Sequence, residues 1–103
     1  MTEDSETPRR NTRVACHTAA AITTDQGTFP GVCENLSLSG AFVNCAPTWS
    51  STFISMMLYL PPLGAVEVAG EILRREPRGC GVRFTRLAST ALTTICAFVG
   101  APY

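Results

Sequence analysis

The sequence predicts an all-β domain with a C-terminal helix, arranged as a six-stranded antiparallel barrel. Short apolar runs rich in Val, Ile, Thr and Ala alternate with clusters of Gly, Pro, Asn, Asp and Ser, which is typical of strands joined by turns. After residue 86 the apolar residues instead recur every three or four positions, as on one face of a helix. Closing the sheet removes exposed strand edges, which matters in a chain of 103 residues.

Three strands are predicted in the N-terminal half of the chain, at residues 14–24, 28–34 and 41–45. Asp25-Gln26-Gly27 closes the first strand with turn chemistry. Pro30-Gly31 lies inside the second strand and predicts a bulge or an edge position, because proline has no N–H to donate. Residues 35–40 are half polar and end in glycine, which predicts a tight connection between the second and third strands.

Three further strands are predicted at residues 52–60, 65–75 and 80–84, separated by turns at 61–64 and 76–79. Alternation along the fifth strand places one set of residues on a common face, namely Val66, Val68, Gly70, Ile72 and Arg74. The same alternation on the sixth strand points Cys80, Val82 and Phe84 to one side.

A helix is predicted over residues 86–99. Its apolar residues form a single stripe made of Leu87, Ala91, Leu92, Ile95, Cys96 and Val99. Gly100-Ala101-Pro102 is a stop signal. We expect the helix to dock by this stripe over one opening of the barrel.

Charged residues are sorted along the chain, although the formal net charge is zero. A zero net charge disfavours general nucleic-acid binding, which depends on many basic groups. All eight basic residues are arginines, at positions 9, 10, 13, 74, 75, 78, 83 and 86. Arginine suits bidentate recognition of phosphate and stacking on rings. Codon bias in a GC-rich genome explains the absence of lysine equally well.

The five cysteines do not have the spacing of a metal site. They include no CxxC pair, and the single histidine, His17, is not spaced with them as a zinc ligand would be. The acidic N-terminus has no signal-peptide pattern, and no apolar run is long enough to cross a membrane. We therefore expect reduced, mostly buried cysteines in a cytoplasmic protein without membrane insertion, bound metal or cofactor.

A basic arm precedes the first strand. Residues 1–8 are acidic and polar and predict a disordered leader, whereas residues 9–13 read Arg-Arg-Asn-Thr-Arg. This arm and the polar segment at 35–40 belong to one small domain. Together they predict an anionic ligand held between them.

Three motifs, in this order, resemble those of a PilZ domain, the bacterial receptor module for cyclic di-GMP. The first is R-x-x-x-R, here Arg9 and Arg13, and the second is (D/N)-x-S-x-x-G, here Asn35, Ser37 and Gly40. The third is a glycine-led strand, residues 70–74, followed by the G-V-x-F strand at 81–84. The resemblance covers residues 9 to about 98. It implies a PilZ-type barrel at 14–84 and a helix at 86–99, within a domain spanning 9–103.

The resemblance also implies a function and a set of site residues. The chain would bind cyclic di-GMP and change shape to control a separate effector protein or nucleic acid. The ligand-binding residues would be Arg9, Arg10, Arg13, Asn35, Ser37 and Gly40. The arginines would close over the ligand from one side, Asn35 and Ser37 would bond guanine or phosphate, and Gly40 would permit close backbone approach. Ligand stoichiometry and the roles of Arg74, Arg75 and Arg83 stay open.

Three alternatives compete with this interpretation. A PilZ-fold adaptor for assembly or motility would not bind cyclic di-GMP, but such members typically lack the arginine motif. An enzyme could use Cys16 and His17, yet adjacent strand residues point to opposite faces. A nucleic-acid-binding barrel would need aromatic residues interleaved with basic ones, which this chain lacks. In that alternative Trp49 could be an exposed contact to nucleic acid, although we favour Trp49 as a loop anchor packed on the barrel.

Overall fold

A computed structural model of the chain describes residues 13–46 and 48–100. The elements in these residues are β1 (Val14–Thr24), β2 (Gly27–Leu36), β3 (Gly40–Asn44), β4 (Phe53–Tyr59), β5 (Ala65–Glu76), β6 (Gly79–Arg86) and α1 (Ser89–Val99). The predicted all-β fold with a C-terminal helix is confirmed. The predicted leader, residues 1–8, lies outside the described residues.

The six strands form a closed antiparallel barrel in the order β1-β2-β3-β6-β5-β4. Strands β1 to β3 form one meander, and β4 to β6 form a second. The two meanders meet along two seams. Strand β1 pairs with β4 from Ala20 opposite Leu58 onwards, and β3 pairs with β6 from Gly40 opposite Arg83 to Asn44 opposite Gly79.

An irregularity in the pairing of β5 with β6 changes the face of the barrel on which Arg74 lies. Ile72 pairs with Val82, but Arg74 pairs with Gly81, so one extra residue is inserted between them. The insertion interrupts the alternation of faces. Arg74 therefore lies on the outer face beside Gly81. The prediction that Arg74 shares one face with Val66 and Ile72 is wrong for this reason.

Pro30 occupies an edge-like position rather than a bulge. It lies opposite Ala21 of β1, in a part of β2 that precedes the pairing with β3. The β2 register shift falls further along, between Cys33 and Asn35. Proline is tolerated opposite Ala21 because this part of β2 is not paired with β3. Its missing N–H therefore interrupts no second strand pairing.

The barrel interior and the helix share one apolar core. Side chains with almost no exposure come from several strands, among them Ile22, Leu36, Val43, Met56 and Leu58. The helix adds Ala91, Ile95, Cys96 and Val99 to the same cluster, which are four members of the predicted stripe. The helix also packs against β5. Its apolar face thus completes the core that the strands begin.

The helix begins at Ser89 rather than at residue 86. Arg86 still belongs to β6, where it pairs with Ala69, so the helix starts only after the extended residue Ala88. The helix ends at Val99 and is followed by Gly100, whose φ of 75° is left-handed and whose N–H donates to the Cys96 carbonyl at 2.9 Å. This is a common helix C-terminus, in which glycine accepts a conformation that strains other residues.

Trp49 anchors the connection between β3 and β4. Its side chain is 2% exposed and belongs to the core, as predicted for a loop anchor. The Arg75 guanidinium lies 4.9 Å from the centre of the indole ring and donates to the carbonyls of Trp49 and Ser51. Arg75 therefore stabilises this connection at one end of the barrel.

The cysteines are free thiols, and four of them form two close pairs. The Sγ atoms of Cys16 and Cys33 are 3.8 Å apart, and so are those of Cys45 and Cys80. Burial, with the neighbouring thiol second, raises the pKa of Cys33 well above its usual value and that of Cys80 to about 12. The predicted burial of the cysteines is confirmed for Cys33, Cys80 and Cys96.

Within residues 13–46 and 48–100, no helix combines the length and the apolar character required to cross a membrane.

Replacing Ile95 with alanine should lower the free energy of unfolding by about 2–4 kcal/mol, because its side chain is fully buried between the helix and the barrel. Thr93→Ala on the exposed side of the same helix is the matched control and should change stability by about 0.5 kcal/mol or less. Urea denaturation followed by circular dichroism measures both variants. Equal effects of the two substitutions would contradict the packing of α1 on the barrel.

The raised thiol pKa values predict slow alkylation of the native protein. Iodoacetamide at pH 8 should modify Cys33 and Cys80 far more slowly in the folded chain than in urea, as measured by peptide mass spectrometry. Unfolded thiols ionise near their ordinary pKa of 9.0 while these two stay protonated in the fold. Above a pH of about 9, the folded state therefore binds more protons than the unfolded state. The free energy of unfolding should fall as the pH rises further. Rapid native labelling at both positions would refute the prediction.

Candidate functional site

The connection between β2 and β3 is a hydrogen-bonded turn organised by Ser37. The Ser37 hydroxyl oxygen accepts from the N–H groups of Ser39 and Gly40, both at 3.2 Å. The Ser37 N–H donates to the Gly40 carbonyl at 2.9 Å, and the hydroxyl donates to the same carbonyl at 3.3 Å. Ser37 is 0% exposed. Its hydroxyl is thus fully used in holding the turn.

Gly40 permits the close approach of β3 to β6. A Cβ atom at this position would lie 2.2 Å from the Val82 carbonyl oxygen, a backbone atom of the paired strand. No side chain fits in that space without moving one of the two strands. The sequence predicted close approach to a ligand at Gly40, whereas the approach seen in the structure is to β6.

Arg13 and Asn35 meet at the start of the barrel. The Arg13 guanidinium donates to the Asn35 side-chain oxygen at 2.6 Å, and the Phe42 N–H donates to the same oxygen at 3.3 Å. The antiparallel pairing of β1 with β2 places Ala15 opposite Asn35, which brings the end of the predicted arm beside the turn. One residue from each of the two short motifs is therefore in direct contact.

An open cleft of about 500 Å³ lies beside this contact on the outside of the barrel. We call it the outer cleft, and its lining residues are Arg13, Asn35, Ala41, Phe42, Leu73, Arg74, Glu76, Arg78, Gly81 and Val82. These residues come from both meanders, so the cleft spans the seam between β3 and β6. Its volume falls within the usual range for small-molecule sites.

The outer cleft is rich in guanidinium groups. Arg13, Arg74 and Arg78 line it, and Glu76 is the one carboxylate among the lining residues. Arg74 is paired with Glu76 at 2.8 Å. The excess of positive charge suits an anionic ligand, and guanidinium donors suit phosphate oxygens or base edges.

Phe42 forms an aromatic floor in the cleft. Phe42 is only 5% exposed, and its side chain lies on the face of β3 opposite to Ala41 and Val43, which belong to the interior core cluster. The Arg78 guanidinium lies 4.6 Å from the centre of the Phe42 ring. Gly81, opposite Phe42 in the β3–β6 pair, has no side chain, which leaves room for the Arg78 guanidinium over the ring.

Sequence reasoning did not identify Phe42 and Arg78 as site residues, because neither belongs to a short motif. The available signal was the pairing of an aromatic residue with a glycine across two strands. Using that signal requires the strand register, which the sequence alone does not provide.

The other predicted site residues have different surroundings. Arg9 and Arg10 lie outside the described residues. Ser37 and Gly40 shape the turn but do not line the outer cleft. Arg83, on the outer side of β6, forms an ion pair with Glu71.

Cys16 and His17 do not form a thiol–imidazole pair. The Cys16 thiol donates to the Cys33 carbonyl at 3.2 Å, while the exposed His17 ring has its Nδ1 atom 2.7 Å from the Cys16 carbonyl oxygen. Their side chains therefore have separate partners, as the alternation of strand faces predicted. Among the described residues, no group of three or more His, Cys, Asp or Glu side chains is arranged to hold a metal ion.

Replacing Gly40 with alanine should lower the free energy of unfolding by about 1–3 kcal/mol or more, because the new methyl group overlaps the β6 backbone. Gly81→Ala is the matched control, since its Cβ would meet only the Arg74 side chain, at an ordinary 3.5 Å. Thermal unfolding of both variants measures the difference. A Gly40→Ala protein as stable as the Gly81→Ala protein would contradict the close β3–β6 approach.

Comparisons with known proteins agree with this architecture. The PilZ domain family model matches residues 7–101. No curated protein sequence matches the chain. The fold is similar to that of the cyclic di-GMP-bound PilZ domain of YcgR from Escherichia coli, with a TM-score of 0.72 and 11% identity over 89% of this chain and 88% of that chain.

Two further solved structures share the fold. The PilZ domain of CeSA from a cellulose-synthesizing bacterium has a TM-score of 0.69 and 16% identity, over 85% of this chain and 95% of that chain. The Bacillus subtilis inhibitor of motility MotI/DgrA has a TM-score of 0.75 and 16% identity, over 88% of this chain. The match covers 49% of MotI/DgrA, so this chain corresponds to about half of that protein. With a family model that matches almost its whole length, the chain belongs to the PilZ domain family.

Proposed function

We propose that this chain is a cyclic di-GMP receptor and that the ligand binds in the outer cleft. The main support is the contact between Arg13 and Asn35 at a cleft that two further arginines line. Membership of the PilZ family supports the choice of ligand, as does the fold shared with the PilZ domain of YcgR, whose structure contains cyclic di-GMP.

Cyclic di-GMP carries two phosphates and two guanines, and the described residues offer partners for both. A guanidinium presents paired donors to phosphate oxygens or to the guanine Hoogsteen edge, and its flat face stacks on a base. Arg13 would supply such contacts together with Arg9 and Arg10, the other arginines of the arm. Asn35 would add amide hydrogen bonds at the edge of the cleft.

Ser37 and Gly40 would act by placing Asn35. The Ser37 hydroxyl holds the turn that follows Asn35, and Gly40 fixes where β3 meets β6. In this conformation the hydroxyl of Ser37 is buried, so we assign it a positioning role. Its replacement by alanine would remove a buried acceptor from two N–H donors.

Ligand binding would change the N-terminal part of the chain. Arg13 already has a partner, Asn35, and a ligand that engages its guanidinium would compete for or extend that contact. Binding would therefore shift the arm between two sets of contacts, and the shift would be the signal to a partner. The partner would be an effector protein or a nucleic acid that recognises the ligand-bound face.

Arg13→Ala should weaken cyclic di-GMP binding about tenfold or more, because each charge-assisted hydrogen bond contributes roughly 1.5–3 kcal/mol. Isothermal titration of cyclic di-GMP into the intact chain and the variant measures the affinity and stoichiometry. Arg86→Ala is the control for loss of one positive charge, since this exposed residue ends β6 away from the outer cleft.

The intact chain and Arg86→Ala should bind alike, and Arg13→Ala should bind more weakly. Absence of binding by the intact chain would overturn the receptor proposal. An adaptor within the PilZ family that does not bind the nucleotide would then be the better description.

A further inference from the structure

Arg78 lines the same cleft as Arg13 but belongs to neither short motif. We propose that Arg78 contacts the ligand directly, exchanging its present partner Glu34 for a phosphate or guanine group of cyclic di-GMP. This inference rests on the proposed function, since it concerns the same cleft and the same ligand. It assigns a ligand-binding role to the turn between β5 and β6.

The position of Arg78 on Phe42 prepares its guanidinium for stacking. The guanidinium lies over the Phe42 ring, with its central carbon 4.6 Å from the ring centre, so an aromatic side chain already supports it on one side. The Arg78 side chain is nevertheless 59% exposed, so a second planar group can reach it from solvent. A guanine base placed there would complete a stack of ring, guanidinium and base. Lysine could supply the charge at this position but not the planar surface.

Glu34 holds Arg78 in the absence of a ligand. The Arg78 Nη1 group donates to one Glu34 carboxylate oxygen, and the Asn44 amide donates to the other at 2.8 Å. An ion pair with so exposed a cation stabilises the fold little, so its exchange for a phosphate is not prohibitive. The Asn44 amide still holds Glu34 after Arg78 leaves it. Glu34 therefore acts as a competitor that the ligand displaces.

Two substitutions separate this role from a purely structural one. Arg78→Ala removes the ligand contact and should weaken cyclic di-GMP binding about tenfold. Glu34→Gln removes the competing charge while keeping the shape and should strengthen binding about two- to fivefold. If the pair were only a structural link, breaking it from either side would change the affinity in the same direction.

The experiment is isothermal titration of cyclic di-GMP into the full chain and four variants. These are Arg78→Ala, Arg78→Lys, Glu34→Gln and the charge control Arg86→Ala. Thermal unfolding of each variant establishes that it is folded before titration. We expect Arg78→Lys to bind more weakly than the intact chain, and Arg86→Ala to bind like it.

Two results would overturn the inference while leaving the proposed function intact. In one, the intact chain binds and Arg13→Ala loses affinity, but Arg78→Ala binds like Arg86→Ala. In the other, Glu34→Gln and Arg78→Ala weaken binding equally, which would make the pair a structural link. Absence of binding by the intact chain would overturn both the inference and the proposed function.

Discussion

The pairing of β3 with β6 is the constraint on which both the barrel and the outer cleft depend. Each meander alone would leave strand edges unpaired, and this seam joins one side of the first meander to the second. Gly40 lets the two backbones approach, since any Cβ there would overlap the Val82 carbonyl. Ser37 holds the turn that delivers β3 to the seam. The short motif in this turn therefore has a structural task before any ligand is present.

The same seam brings together charges that are far apart in the sequence. Arg13 directly precedes the first meander and Asn35 lies within it, whereas Arg74 and Arg78 come from the second. Arg74 and Arg78 each have a carboxylate partner, Glu76 and Glu34, in exposed ion pairs that stabilise the fold little. A cleft of this kind remains folded without an anion. In the proposed function, its guanidinium groups exchange these carboxylate partners for the anion.

The class of fold could be predicted from the sequence because alternation, turn residues and helical periodicity are local signals. Irregularities in strand pairing could not be predicted in the same way. The extra residue between Ile72 and Arg74 turns Arg74 outward, and no local sequence pattern predicts this insertion. The apolar stripe predicts too early a helix start because Leu87 fits it, although Arg86 is still paired in β6. Strand and helix meet there without a strong capping residue.

The residues of the candidate site likewise fall into those that local sequence signals identify and those that depend on strand pairing. Arg13 and Asn35 could be found from short motifs, since each lies in a stretch whose spacing carries the signal. Phe42 and Arg78 could not, because their proximity depends on the register between β3 and β6 and on the turn at residue 78. Register is a long-range property, and a shift by one residue would turn Phe42 into the barrel.

Nuclear magnetic resonance of the ¹⁵N-labelled chain during addition of cyclic di-GMP would show whether the ligand occupies the outer cleft across the β3–β6 seam. We expect the largest amide shifts at Asn35, Phe42 and Gly81, with little change along the exposed face of α1. Shifts concentrated on the helix, or no shifts at saturating ligand, would contradict this placement of the ligand.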